Sequence, residues 1–285
     1  MKTTLKLTAA ACCLSSWASV HAAEWSDTSV SVRYGTTFAE PYDNNADGSR
    51  KDITKTIVGL THASGFKYGT NFFNVDVLLS SGADPGNGTT AGAVEVYGVY
   101  RNMLDFGKIS GANLQMGPIR GFGLTSGFDL NTKNDFYGSK KRMFVIGPTV
   151  QFDVPGFLNV SALLLDESNA PNNPNVGRYH YKNHVALEAN WGGIQVASLP
   201  LTFKGYALWI ASKGIDESGN QTKPETHLDA QLVLDVGAVA GGAKGTFTVA
   251  LEYEFWKNKF GNDASGFAGP GAKASTPMIR AEYHF

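Results

Sequence analysis

The sequence predicts an all-β fold, a transmembrane antiparallel up-and-down β-barrel of about twelve strands. Two patterns favour it: apolar and polar residues alternate over segments of about 11 residues, and long polar connections alternate with short ones. In addition, no stretch after residue 22 approaches the roughly 18 consecutive apolar residues that a membrane-spanning helix needs. We therefore expect strands, not helices, to cross the bilayer.

The last twelve residues show the alternation most clearly. One parity is apolar and ends in two aromatic residues, and it consists of Ile279, Ala281, Tyr283 and Phe285. The other parity is mostly polar and consists of Met278, Arg280, Glu282 and His284. Because successive side chains of a strand point to opposite faces, one face suits lipid and the other suits water. We predict that this segment closes the barrel.

Twelve segments fit strands, and the connections between them differ in length. The predicted strands are 28–38, 52–63, 67–80, 92–103, 118–129, 142–153, 157–167, 179–190, 200–212, 226–238, 245–257 and 274–285. The second, fifth and ninth have apolar residues on both parities. Odd-numbered connections are long and polar, whereas even-numbered ones are mostly short, with Leu104–Gly117 as the exception. This predicts both chain ends on the periplasmic, short-turn side.

Residues 1–22 resemble a cleaved secretory signal peptide. Lys2 and Lys6 provide the positive start, an apolar stretch follows, and Val20-His-Ala22 fits a cleavage site. A lipoprotein signal acylated at Cys12 or Cys13 is the alternative. We expect residues 23–285 to form one barrel domain in the outer membrane of a Gram-negative cell. These two cysteines are the only ones in the chain, so the mature chain has no disulfide.

Charge and composition argue against several classes of partner. The net charge is −1 and the isoelectric point is near 6.6, which disfavours nucleic acid as a ligand. His180 and His184 are predicted on one lumen face without further ligands nearby, so a metal site is not expected. We predict no cofactor.

The inward parity predicts a lumen with charges of both signs, an acidic excess and several aromatic rings. A flat solute could stack on such rings and hydrogen-bond to neighbouring polar groups. The candidate substrate-binding residues are Phe72, Asn74, Asp76, Glu95, Tyr97, Arg101, Trp256 and Arg280, with Tyr206 as a further aromatic residue. Three alternatives stay open: the charges form internal ion pairs, an inward-folded loop covers the aromatic rings, or the assigned parity is one residue off.

Several runs resemble the nucleoside-specific outer-membrane channel family of the Tsx type. They are Trp25–Gly35, Lys67–Asp76, Gly117–Ile119, Arg142–Phe152 and the terminal strand, together with Phe38, Glu40 and Pro41. The resemblance implies a monomeric twelve-stranded barrel in the outer-membrane lipid. It also implies passive diffusion of nucleosides through a narrow lumen. Outer loops that phage or colicins recognise are a further expectation from the family.

The sequence predicts a passive channel for nucleosides or similar small neutral solutes, and two other functions are alternatives. A structural or receptor barrel with a plugged lumen would use its loops alone. An outer-membrane lipid-modifying enzyme would need a Ser/His/acid set on the lipid-facing wall. In the clearly alternating strands no serine neighbours a histidine on the outward parity. We therefore predict that the protein is not an enzyme.

Overall fold

The computed structural model describes residues 23–172 and 175–285, so the predicted signal peptide lies outside the described residues. Twelve long strands and one two-residue strand form a single antiparallel sheet. The strands are β1 Trp25–Phe38, β2 Ile53–Phe66, β3 Gly69–Ser80, β4 Val94–Asp105, β5 Ile119–Lys133, β6 Arg142–Phe152, β7 Phe157–Asn169, β8 Tyr179–His180, β9 His184–Gln195, β10 Leu201–Ile210, β11 Glu225–Asp235, β12 Phe247–Lys257 and β13 Lys273–His284.

The sheet is closed, and the predicted fold class is confirmed. The twelve long strands are neighbours in the sheet in chain order, and β1 pairs with β13 along seven residue pairs, from Ser29 with His284 to Gly35 with Met278. Each long strand therefore has hydrogen-bond partners on both sides, as a closed barrel requires, whereas the two-residue β8 pairs with β7 alone. The last strand closes the barrel as the sequence predicts.

One predicted strand is wrong in its bounds. The segment expected at 179–190 is divided into β8 and β9 by residues 181–183. The backbone amide of Tyr181 donates to the carbonyl oxygen of Glu167, while its ring is buried beneath Lys213, whose Nζ lies 4.1 Å from the ring centroid. This packing interrupts the regular pairing and changes the parity between the two pieces.

The two faces of the barrel differ sharply. The outer face exposes apolar side chains along most strands, including Val32, Leu60, Val96, Phe144, Leu164, Leu187, Leu251 and Ile279. The inner face buries polar residues such as Ser31, Thr149, Ser161 and Glu252. A band of exposed apolar side chains around a closed barrel is the surface that lipid requires. Among the described residues, no helix is long and apolar enough to cross a membrane.

The connections at the two ends also differ. The short-turn end holds β1's start and β13's end, and its connections are 67–68, 106–118, 153–156, 196–200 and 236–246. The connections at the opposite, long-loop end are 39–52, 81–93, 134–141, 170–183, 211–224 and 258–272. The connection 106–118 is unusually long for the short-turn end. It contains a short helix, α1 Phe106–Ser110, and the Asp105 carboxylate caps its first turn by accepting a hydrogen bond from the Lys108 amide. A second short helix, α2 Val236–Val239, lies in 236–246.

The tight turn expected around Asp153-Val-Pro-Gly is present as residues 153–156. Gly156 has a φ of +83°, and a Cβ at this position would collide with the backbone of Gly192 and Gly193. A glycine is therefore required by both conformation and space. The turn holds β6 and β7 in register at the short-turn end.

An arginine on the lipid-facing band should destabilise the barrel. Leu251 is 67% exposed in the middle of β12 and pairs with the outward-facing Ile279. We expect Leu251→Arg to lower the free energy of unfolding in lipid by about 2–4 kcal/mol, because the charge would enter hydrocarbon. Val239→Arg is the matched control, since Val239 is 61% exposed but lies in the 236–246 connection. Equal losses for both variants would contradict the assigned lipid band.

Candidate functional site

The eight sequence-predicted candidates all lie on the inner face of the barrel. In the continuous register of β3 and β4, Phe72 pairs with Arg101 and Asp76 pairs with Tyr97. The strand registers also place the other four candidates on the inner face: Asn74, Glu95, Trp256 and Arg280. The predicted parity is therefore correct at these positions. Their role in binding a solute stays a prediction.

Two arginines join four strands through a network of inner carboxylates. Arg33 of β1 forms an ion pair with Asp76 of β3 and approaches Glu252 of β12 at 3.4 Å. Arg280 of β13 lies 3.6 Å from Glu252 and 3.2 Å from Glu282. All five side chains are largely buried. Asp76 and Arg280 are thus members of the internal ion pairs that the sequence left open as an alternative.

Other ion pairs reach over the lumen between strands that are not neighbours. Lys204 Nζ of β10 lies 2.8 Å from Glu282 of β13, although β11 and β12 separate the two strands. Arg101 of β4 lies 2.6 Å from Asp129 of β5 and 3.5 Å from Glu188 of β9. Three strands separate β4 from β9. These contacts show that the interior is narrow.

Polar side chains of the candidate set are also hydrogen-bonded within the wall. The Tyr97 hydroxyl donates to Asp129 Oδ2 at 3.0 Å, and Asn131 Nδ2 donates to Glu95 Oε1 at 2.8 Å. Asn74 Oδ1 accepts from the Thr61 hydroxyl at 2.8 Å. The amide nitrogen of Asn74 has no such partner in the described structure and can donate to a solute.

Three of the inner aromatic residues differ in accessibility. Phe72 and Tyr206 are 40% and 37% exposed, although the Tyr206 ring also packs edge-on against His227 with centroids 5.2 Å apart. Trp256 is covered: the His227 ring stacks on it with centroids 3.9 Å apart and planes at 6°. Lys259 Nζ lies 4.7 Å from its centroid, and its indole N–H donates to Glu225 at 2.6 Å.

Trp256 is therefore partly covered by neighbouring side chains, and its predicted role in stacking a solute stays a prediction. Lys259 and the edge-on Phe260 belong to the 258–272 connection, so a loop folded inward covers this ring. Phe72 and Tyr206 are the more exposed of these inner aromatic residues. The sequence does not fix the face on which Tyr206 lies, because its predicted strand has apolar residues on both parities.

An apolar patch on the inner wall was missed by the sequence analysis. It is formed by buried residues of β6, β7, β9 and β10, namely Met143, Val145, Leu163, Leu165, Ala186 and Ile210. A similar cluster, formed by Phe38, Ile53, Ile57 and Met278, lies on the inner side of β1, β2 and β13. The period-two pattern does not separate such residues from lipid-facing ones, because both are apolar.

A buried carboxylate connects the long loops to the inner wall, and the sequence analysis gave it no role. Glu40 lies in the 39–52 connection, and its Oε1 is 2.6 Å from Lys55 Nζ, 3.1 Å from Lys259 Nζ and 3.6 Å from Lys133 Nζ. These lysines belong to β2, the 258–272 connection and β5. Burial opposes the charge of Glu40, yet the three lysines hold its pKa well below the usual value.

The region around β8 contains further differences from the sequence predictions. His184 is buried on the inner face, whereas His180 is exposed on the outer face, and Lys182 lies in the connection between them. The expected pair of histidines on one lumen face is therefore wrong, because residues 181–183 interrupt the alternation. Within the described ranges, no cluster of three or more His, Cys, Asp or Glu residues could hold a metal ion.

A serine and a histidine do pair on the outer face. Ser168 of β7 lies opposite His180 of β8. The Ser168 hydroxyl accepts a hydrogen bond from Arg178 at 3.1 Å, and no hydrogen bond joins it to the His180 ring. Within the described residues, this pair therefore lacks the hydrogen bond by which a histidine would act as a general base on the serine.

The fold and the interior together define a class: a membrane-spanning β-barrel of the outer-membrane type, with a narrow interior lined by ion pairs. No protein-family model matches the chain, and no curated protein sequence is significantly similar to it.

Solved structures similar in fold include a KdgM porin (TM-score 0.43, 10% identity, 90% of this chain and 99% of the porin). A KdgM porin in complex with disordered oligogalacturonate gives a TM-score of 0.45 at 9% identity, with 90% and 99% covered. The translocator domain of the autotransporter NalP from Neisseria meningitidis gives 0.43 at 11% identity, with 93% and 90% covered. Similarity at this level assigns no solute to this chain.

Removing Arg33 should destabilise the barrel more than removing an exposed arginine. Arg33→Gln leaves the buried Asp76 and Glu252 without their shared cation, so we expect a loss of about 3–5 kcal/mol in the free energy of unfolding. Arg50→Gln breaks an exposed pair with Asp52 and should cost less than about 1 kcal/mol. Urea unfolding in lipid vesicles measures both. A loss for Arg33→Gln no larger than the control would disprove the network's contribution.

The Glu40 contacts should resist mild acid. A carboxylate with a lowered folded-state pKa stabilises the fold above its unfolded pKa and loses that contribution only as pH falls through the lower folded value. The loops should therefore stay protease-resistant at about pH 5, whereas Glu40→Gln should be cleaved at neutral pH.

Asp47→Asn is the control for this experiment. Asp47 lies in the same connection, but its carboxylate hydrogen-bonds only to Ser49. Limited proteolysis followed by mass spectrometry reports which loops are cut. Protection of Glu40→Gln equal to that of Asp47→Asn would show that the three lysine contacts do not hold the loops.

Proposed function

We propose that the protein is a passive outer-membrane channel for small neutral solutes that carry a flat ring and hydroxyl groups, with nucleosides as the expected substrates. The observation that supports this most is the exposure of Phe72 and Tyr206 on an inner face that is otherwise largely buried. Exposed rings in a narrow, wet interior offer a stacking surface for a base.

The surrounding polar groups suit an uncharged solute. The arginines of the interior are paired with carboxylates, as in Arg101 with Asp129 and Glu188, so their charges largely cancel. A pore selective for anions would instead present unpaired basic residues. Hydrogen-bonding groups near the rings, such as the Asn74 amide, can contact ribose hydroxyls.

The same interior limits affinity. Stacking contributes about 1–3 kcal/mol per base, and a diffusion channel needs binding that is weak enough for release. The resemblance of Trp25–Gly35 and Lys67–Asp76 to nucleoside-specific channels supports the same substrate class. Both arguments lead to a channel with low-affinity, ring-selective sites.

Replacing the exposed rings should reduce nucleoside recognition. We expect Phe72→Leu and Tyr206→Leu each to weaken adenosine binding by roughly tenfold, in proportion to the lost stacking energy. Phe73→Leu is the matched control, because Phe73 is adjacent in sequence but lies on the outer face. Adenosine-induced current block in planar bilayers and liposome swelling with uridine and with sugars of similar size measure the effect. Equal flux for nucleosides and sugars would disprove the specificity.

A second candidate is a receptor barrel with a closed lumen, which the Glu40 contacts favour. Loops tied to the inner wall by Lys55, Lys133 and Lys259 narrow the long-loop end. In that case the outer loops themselves would act, for example as a surface that phage or colicins recognise. Single-channel recording separates the candidates, because a closed barrel passes no current while the channel does.

A further inference from the structure

A patch of cations lies on the outer face of the barrel at its long-loop end. Arg142 begins β6, Lys140 precedes it, and Arg178 lies just before β8. Lys140 and Arg142 are exposed, and Arg178 is half-buried. None of the three forms an ion pair with a carboxylate within residues 23–172 and 175–285. We call these three residues the basic rim.

The strand register fixes the direction in which Arg142 points. Arg142 pairs with Leu130 on one side and with Ser168 on the other, and Ser168 pairs with His180. Leu130 is an exposed residue of the lipid-facing parity. The row of paired residues therefore faces outward across β5, β6, β7 and β8, about 4.8 Å apart from strand to strand.

Arg178 is held in place. Its Nη1 donates to the Lys140 carbonyl oxygen at 3.1 Å and to the Ser168 hydroxyl at 3.1 Å. Ser168 lies directly opposite Arg142, so these two bonds bring the guanidinium of Arg178 toward that of Arg142. Partial burial, and then the charge of Arg142, lower the pKa of Arg178. Two neighbouring like charges on one surface, of which that of Arg178 is held in place, would stabilise a bound anion.

The surface beside the basic rim is apolar. Phe144 is the next outward residue of β6 and is exposed, as are Ile146 and Leu164 one pair further along. Among the described residues that pair with Arg142, Phe144 and Ile146 across β5, β6 and β7, one is acidic: Asp166, opposite Phe144. Three cations against one carboxylate leave the patch positive. Cations directly next to a lipid-facing apolar band lie at the depth of lipid headgroups.

We infer that the basic rim binds the phosphate groups of a phosphorylated glycolipid in the outer leaflet, with the acyl chains packed along Phe144 and Leu164. Guanidinium groups match phosphate geometry with paired hydrogen bonds, which is the recognition that two adjacent arginines provide. The inference uses the outer-membrane placement, with the long loops outside, and not the identity of the solute.

The experiment compares two lipids that differ only in phosphate. The folded full-length barrel in detergent micelles is titrated with bisphosphorylated lipid A and with the same lipid after removal of its phosphates, and native mass spectrometry counts bound molecules. We expect the phosphorylated lipid to bind about tenfold more tightly or better. Arg142→Gln/Arg178→Gln should bind both forms equally.

Two further variants keep the test decisive. Arg142→Lys/Arg178→Lys retains the charge and should keep part of the preference, which separates lost binding from lost folding. Lys67→Gln changes an exposed cation at the short-turn end and should bind like the native protein. An unchanged preference in the double Gln variant overturns the inference, as does full competition by inorganic pyrophosphate at equal concentration, which would indicate a general anion site.

Channel measurements separate the lipid site from the proposed transport function. Nucleoside block of the current should be the same in Arg142→Gln/Arg178→Gln as in the native protein, because both residues lie outside the lumen. Phe72→Leu should bind lipid A normally. Failure of the lipid site and failure of the proposed transport function therefore produce different results.

Discussion

The barrel depends on one constraint: backbone groups in lipid have no water to hydrogen-bond with, so the sheet must close. The barrel closes where β1 pairs with β13. On the inner side of this seam, the Ser29 hydroxyl donates a hydrogen bond to Glu282 at 2.6 Å. Glu282 in turn contacts Arg280 and Lys204. The seam that seals the backbone thus also anchors the ion pairs of the interior.

The interior follows from a second requirement, that charges inside a narrow barrel be paired. Arg33 and Arg101 each contact carboxylates on two different strands. These contacts fill space and cancel charge at the same time. The rings of Phe72 and Tyr206 stay partly exposed, and they are the surface on which the proposed solute would stack.

Much of the fold is predictable from the sequence, because a strand has a period of two and lipid demands one apolar face. The strand number, the long and short connections and the inward parity of residues such as Asp76 and Arg280 all follow from that pattern. The predicted strand 179–190 is wrong because the burial of Tyr181 interrupts the alternation of inner and outer residues, and no local sequence pattern indicates that burial.

The contacts inside the barrel were less predictable, because they join distant parts of the chain. Arg101 and Glu188 meet only after closure, and Lys259 covers Trp256 only because a loop folds inward. The ambiguity of the second and ninth predicted strands has a physical source. Ile57 and Ile210 are inner apolar residues that pack in clusters, so apolar character there does not indicate lipid.

The Glu40 contacts have a mechanical consequence. One carboxylate is shared by lysines from β2, β5 and the last loop, so four separate parts of the chain meet at a single point beneath the outer mouth. A push or pull on any one of these parts is transmitted to the others through that point. Displacing the 39–52 connection would accordingly strain β2 and β5, because Glu40 ties it to both strands.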